Sequence, residues 1–317
     1  MAREKKERVK EVSITPKITR KELKRQRVLI VWSIIFVIYG VIFCYLPLGG
    51  WLMAFQKYKP KSGLLHSKFV GLDKFKFLFA DATFFRVFRN TIAMGTINMI
   101  TTLIMAVLFA ILLNEIRTSI TKKVVQTISY LPHFLSWIIV TGILHDALSS
   151  TGIVNELLVN WHVVDTYIPF FSIEKYFWGI VAFANNWKET GWNAIVYLAA
   201  ITSIDPCLYE AAVIDGAGRG DKIWFITLPS IKPTIMILTL INIGNVINAG
   251  FEIQYLLGNP TIVDVSETID IYVLRWGISQ MDYSLGTAAG IFKSLVSIIL
   301  ILIGNSVAKM LGEERLF

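Results

Sequence analysis

Charge is scarce in this chain, and cysteine and histidine are scarcer. Only 17% of its 317 residues are Asp, Glu, Lys or Arg, against about 25% in soluble globular domains. The low charge and high apolar content exclude a disordered chain, and the composition excludes a collagen-like repeat. Two cysteines, Cys44 and Cys207, cannot staple a small disulfide scaffold. They fall in a predicted span and a predicted cytoplasmic loop, on different levels, so no disulfide between them is expected. The four histidines, His66, His133, His145 and His162, are scattered without metal-ligand spacing and read as polar packing residues. No G-x-x-x-x-G-K-[ST] or other phosphate-cradling loop is present, and no carboxylate pair marks a glycan-cleaving site. No catalytic residue and no metal ligand is assigned.

What the chain has is apolar length. Hydrophobic residues make up 54% of it, with a mean hydropathy of +0.58, gathered in blocks long enough to cross a bilayer. A spanning helix needs about 20 residues. Six segments qualify, at roughly 28–48, 90–113, 124–148, 176–203, 233–257 and 284–308. The first is too long and too heavily flanked by charge to be a cleaved signal peptide. The expected fold class is an all-α membrane protein of six transmembrane helices. Its expected organisation is a basic tail (1–27), a membrane domain (28–308) containing a cytoplasmic loop (203–232), and a short tail (309–317).

The net charge of +8 is unevenly placed. Arg3, Lys5, Lys6, Arg8, Lys10, Lys17, Arg20, Lys21, Lys24, Arg25 and Arg27 crowd the first 27 residues. Beside an apolar span, such a tail sets topology and keeps that end in the cytoplasm. Without interleaved aromatics it does not resemble a nucleic-acid arm. Six spans then place both termini inside, with the loops at 114–123 and 203–232. One stretch opposes this: 49–89 falls outside yet holds Lys57, Lys59, Lys61, Lys68, Lys74, Lys76, Arg86 and Arg89.

Three spans carry polar stripes. In the fourth, Asn185, Lys188, Glu189, Trp192 and Asn193 share one side at 100° per residue, while Trp187 points elsewhere. In the fifth, Asn242, Asn245, Asn248 and Glu252 fall within an arc of roughly 120°. In the sixth, Gly286, Gly290, Lys293 and Ser297 make a small-and-polar face. Amides and small residues serve as glue between membrane helices. Charges at mid-membrane cost more, and face a bundle interior or a wet pathway. Trp187, Lys188, Glu189, Trp192, Asn245, Asn248 and Glu252 are therefore the candidate substrate path. Lys188 has two readings, an ion pair with Glu252 or a contact with substrate.

The loop 203–232 is the most informative stretch. Asp205-Pro206 reads as a helix start, with a short helix through Glu210-Ala211-Ala212 running up to Gly216. Gly216, Gly218 and Gly220 permit a turn. A second short amphipathic helix follows, Pro229 closes the loop, and Pro233 opens the next span. Such a helix–turn–helix suits docking into a groove on another protein.

Glu210-Ala211-Ala212, three residues to Gly216, then nine to Ile226-x-Leu228-Pro229, resembles the EAA loop of binding-protein-dependent ABC importer permeases. Trp187-Lys188-Glu189-x-Gly191-Trp192 and Asn248-Ala249-Gly250-Phe251-Glu252 are similar to the oligosaccharide branch of the maltose-permease-like family. The stretch from Asp270-Ile271-Tyr272 through Tyr283-Ser284 to Gly290-Ile291-Phe292 is similar to it too. The resemblance implies the type I ABC importer permease fold in a bacterial plasma membrane. It implies a partner permease (usually a paralogue), two cytoplasmic ATPases that bind ATP and Mg, and an extracellular sugar-binding lipoprotein. It also implies that Glu210, Ala211, Ala212, Asp215 and Gly216 form the coupling helix received by an ATPase. The cargo would be an oligosaccharide or polysaccharide fragment, with no cofactor in this chain and no enzymatic activity of its own. The competing reading is a proton-coupled secondary transporter using Lys188, Glu189, Glu252 and Lys293. It lacks the internal repeat such transporters carry.

Overall fold

A computed structural model describes residues 24–310; most of the basic tail, and residues 311–317, lie outside them. The chain divides into two units, Met1–Trp51 and Leu52–Phe317. The first contributes α1 (Arg27–Gly40), followed by one π turn, Val41–Tyr45. Its residues are apolar on every side, the pattern of a helix surrounded by other apolar matter.

The second unit opens with a two-stranded antiparallel hairpin, β1 (Gln56–Lys57) and β2 (Lys68–Phe69). A short helix, α2 (Asp73–Ala80), leads into α3 (Ala82–Glu115). Asp81 starts α3, its carboxylate accepting the Thr83 N–H at 2.9 Å. At 1.5 Å per residue, these 34 residues reach about 51 Å, well beyond the roughly 30 Å of a hydrocarbon core.

The third span differs from the expectation of one helix over 124–148. It is divided into α4 (Ser119–Tyr130), a 3-10 turn (Leu131–Phe134) and α5 (Trp137–Leu148). Pro132 has no N–H to donate, Leu135 is extended, and Ser136 restarts the helix by accepting the Ile139 N–H. The segment apolar enough to span begins at Trp137 and runs through α6 (Ile153–Asn160). The fourth span is α7 (Glu174–Thr202), continuous through its polar centre, and meets α8 (Pro206–Ile214) at 69°.

The fifth span also differs. Residues 219–245 are helical throughout: α9 (Arg219–Lys222), a π turn (Ile223–Thr227) and α10 (Leu228–Asn245). Pro229 and Pro233 lie inside this helix and neither closes nor opens it. The Leu228 N–H bonds the Ile223 carbonyl five residues back, and the widened turn absorbs the register change just before a residue lacking an N–H. The break comes later, at a 3-10 turn (Val246–Asn248) and Gly250, whose φ of +86° lies in the left-handed region. Beyond it run α11 (Phe251–Leu257), α12 (Ile269–Val273) and the last span, α13 (Tyr283–Met310). Six spans result only when α7 and α8 are taken as one bent span; five helices qualify singly.

Within this unit α3 and α7 form the spine. Ala106, Ala110 and Leu113 of α3 pack with Ala194, Tyr197 and Ile201 of α7 and Ile231 of α10 at one end. Phe84 and Val87 pack with Ile269, Tyr272 and Leu285 at the other. Met94, Val140, Phe177 and Ile253 fill the middle. Ile104, Leu108, Ile298 and Leu302 face outward, at about half of full exposure, the surface a lipid-embedded bundle presents.

Candidate translocation path and coupling loop

At one end of the bundle, α8 stands on the terminus of α7. Asp205 caps it by accepting the Cys207 N–H at 2.9 Å, with Pro206 in its first turn. The helix ends in a full Schellman closure. The Ala217 N–H reaches the Ala212 carbonyl at 2.8 Å and the Gly216 N–H reaches Val213 at 3.1 Å, with Gly216 at φ +80°. The Tyr209 hydroxyl lies 2.9 Å from Thr227 Oγ1, tying α8 to the π turn. Glu210, Ala211 and Asp215 are exposed and Ala212 half-buried. Leu208, Val213 and Ile214 stand bare beside them. The helix expected from 205 to 216 is present, and it presents an acid, small residues and an apolar edge.

Above this loop lies a cavity of about 320 Å³ walled by amides: Asn98, Asn185, Asn193, Asn242, Asn245 and Asn248. Glu189 is its carboxylate, with Tyr197 and Trp137 among its aromatic walls. Some polar residues also hold helices together. Asn185 donates to Thr102 Oγ1 at 3.0 Å and Asn186 to Thr101 Oγ1 at 2.8 Å, both across α3 and α7. A second cavity of about 470 Å³ lies across Trp137 from the first and is lined by Lys188, Phe251, Glu252 and Tyr255.

Among the described residues, Lys188 pairs with Glu189 and not with Glu252. Its ammonium lies 3.2 Å from Glu189 Oε1, donates to the His133 carbonyl at 2.5 Å and sits over the Trp137 ring. Lys188 is only 6% exposed, and Glu252 is exposed in the second cavity. The arc drawn through the fifth span fails because the 3-10 turn and the left-handed Gly250 interrupt the 100° spacing between α10 and α11. Asn242, Asn245 and Asn248 therefore meet the first cavity and Glu252 the second. Trp187 lines neither of these two cavities, in keeping with its expected direction. Trp192 stacks on the His133 imidazole, centroids 4.4 Å apart and planes 2° from parallel. Lys293 binds Asp270 at 2.6 Å, and Ser297 donates to the Gly244 carbonyl at 2.6 Å, so the sixth-span face is structural.

His133 is the residue that sequence reasoning missed. Its Nδ1 lies 2.7 Å from Glu189 Oε2, so one carboxylate joins an imidazole and an ammonium. The signal lay in Pro132 and Ser136, which bend the chain so that His133 points at α7. A second cluster went unread at the opposite end. Arg86 binds Asp264 and lies 3.6 Å from Glu267, which Arg275 also holds at 2.9 Å. Lys74 pairs with Asp282 at 2.6 Å. Two of the basic residues that opposed the expected topology are thus neutralised by carboxylates from 264–282. Glu267 is almost fully buried, and burial raises its pKa above the ordinary value, against the lowering effect of Arg275 and Arg86.

Comparison with known proteins places this geometry in context. The family model for the binding-protein-dependent transport system inner membrane component matches residues 100–314. The chain is similar to the polygalacturonan/rhamnogalacturonan transport system permease protein YteP of Bacillus subtilis (strain 168), at 43% identity over 88% of this chain and 87% of that one. It is 41% identical to protein LplB of the same organism, over 93% and 92% of the two chains. Among solved structures it resembles a chain of a bacterial alginate ABC transporter in complex with an alginate pentasaccharide-bound periplasmic protein. That likeness has a TM-score of 0.85 at 37% identity, covering 93% of this chain and 99% of that one.

Proposed function

Because the chain belongs to the family of binding-protein-dependent transport system inner membrane components, we propose that it is one permease subunit of an ATP-driven importer of oligosaccharides or polysaccharide fragments. The observation that carries this reading is α8. It is a capped, glycine-closed helix with Glu210 and a bare apolar edge, hydrogen-bonded to the base of the fifth span. A helix so built transmits a push: movement of α8 reaches α10 through Thr227 and α7 through the bend. The amide-walled cavity between α3, α7 and α10 suits the hydroxyls of a sugar chain, and Trp137 and Tyr197 suit its apolar faces.

Two cytoplasmic ATPases carrying ATP and Mg supply the energy, and Glu210 and the apolar edge of α8 dock into them. A paralogous permease completes the path, and an external lipoprotein delivers the glycan. This chain itself catalyses no reaction and holds no cofactor, and both termini and the α8 loop lie in the cytoplasm. The relatives' names, and the alginate transporter's ligand, favour an acidic glycan. The secondary-transport reading is weakened because Lys188 and Lys293 are held in separate ion pairs. The test is uptake of an oligogalacturonate into proteoliposomes holding the assembled complex. Uptake that needs internal ATP and ignores a proton gradient is expected; uptake driven by the gradient alone overturns the assignment.

A further inference from the structure

We propose that the cavity between α11 and the segment 259–275 is a binding site for a single uronic-acid ring of the glycan, at the end of the bundle opposite α8. The inference rests on the glycan reading above and adds a location and a charge to it.

The cavity measures about 390 Å³ and is lined by Gln254, Tyr255, Asn259, Ser266, Glu267 and Arg275, a size within the range of small-molecule sites, about 300–1,000 Å³. Its chemistry fits one sugar ring. Tyr255 is half-exposed, with its ring fixed by stacking on Phe251 at 5.4 Å, and offers an apolar face to the C–H side of a pyranose. Gln254 is fully buried; its Nε2 donates to the Ala249 carbonyl at 2.5 Å while Oε1 has no hydrogen-bond partner. A buried acceptor left bare is costly, and a ligand hydroxyl would satisfy it.

The charges decide which ring. Arg275 and Glu267 are the charged residues of its lining, and Arg86 also lies 3.6 Å from Glu267. The Arg275 Nη1 is engaged by Glu267, while its Nε has no partner. An N–H left bare on a guanidinium calls for an acceptor, and a carboxylate, which guanidinium groups bind in planar, paired fashion, is the strongest one a sugar ring carries. A neutral ring would offer that N–H only a hydroxyl.

The position fits a relay. Tyr255 is shared by this cavity and the one containing Lys188, and Trp137 is shared by that one and the amide-walled chamber. The cavity containing Lys188 thus has an aromatic residue in common with each of the other two.

The test uses the assembled transporter in proteoliposomes with two probes, trigalacturonate and the same trimer with its carboxyl groups reduced to alcohols. Tyr255→Ala is expected to raise the half-saturating concentration for both probes by roughly tenfold. Arg275→Gln is expected to raise it for the acidic trimer alone. Unchanged half-saturation in Tyr255→Ala, or equal losses for both probes in Arg275→Gln, would overturn the site. Should Arg275→Gln fail to fold, maleimide labelling of Asn259→Cys decides the matter. Protection by the acidic trimer and not the neutral one supports the site; protection by neither, or equally by both, rejects it. Uptake of neither probe by the unmodified transporter would reject the glycan reading together with this inference. Normal glycan uptake with indifferent cavity variants would reject the inference alone.

Discussion

Gly95 of α3 lies directly against the carbonyl of Val246, so that a Cβ on Gly95 would sit 1.8 Å from that oxygen. The contact seats the break in the fifth span against the spine of the bundle, beside the amide-walled chamber. Backbone cannot yield as a flexible side chain would. Gly95→Ala is therefore expected to cost about 3 kcal/mol, the upper end of the range typical of overpacking. It should appear as a clear fall in melting temperature in detergent. Gly142→Ala, at a helical position with nothing within 4 Å, should not lower the melting temperature.

Coupling should fail at Gly216 without loss of the membrane domain. Its φ of +80° disfavours any side chain, so Gly216→Val strains the closure of α8 by about 1–3 kcal/mol. The expected variant inserts, binds the external lipoprotein and loses ATP-driven uptake. Glu210→Ala should lower ATPase association in pull-down. Full uptake by both variants would remove α8 from the coupling role.

The partner of Lys188 can be identified by charge exchange. Lys188→Glu alone should misfold, since breaking a buried pair costs about 3–5 kcal/mol. Adding Glu189→Lys should recover part of the monodisperse protein, because it restores the ion pair observed at 3.2 Å though not the donation to the His133 carbonyl. Adding Glu252→Lys should not. Size-exclusion profiles of the two double variants distinguish the outcomes.

The segment around Glu267 should gain stability as pH falls. Glu267 faces Arg86 on α3 and Arg275 after α12, with Asp81, Asp264 and Tyr272 nearby. Its folded pKa is raised from 4.5, so the folded state binds the proton more readily than the unfolded one. Its contribution is most favourable below that unfolded value and is lost as pH rises through the folded one. Amide exchange across 263–276 should accordingly quicken with rising pH beyond its intrinsic dependence. Glu267→Gln should remove the excess; an unchanged excess would assign it to another group.

Orientation can be read at a native thiol. Cys207 is exposed in the first turn of α8, so an impermeant maleimide should label it only from the cytoplasmic side. Lys61→Cys should label only from outside. Labelling of both from one side would reject the topology.

The sequence by itself determined the apolar spans, the capped helix from Asp205 to Gly216 and the absence of a phosphate loop. Each is a local property: a run of apolar residues, a cap, a glycine where φ must be positive. The polar side of α7 was equally legible, since a continuous helix keeps its 100° spacing whatever surrounds it. Only the tertiary structure decided where that spacing stops. Pro132 and Ser136 divide the third span and aim His133 at Glu189, while Gly250 separates Glu252 from the asparagines before it. The partners of Lys188, Glu267 and Lys74 were likewise decided there. An ion pair depends on the directions of two side chains, and those directions depend on how separate helices pack.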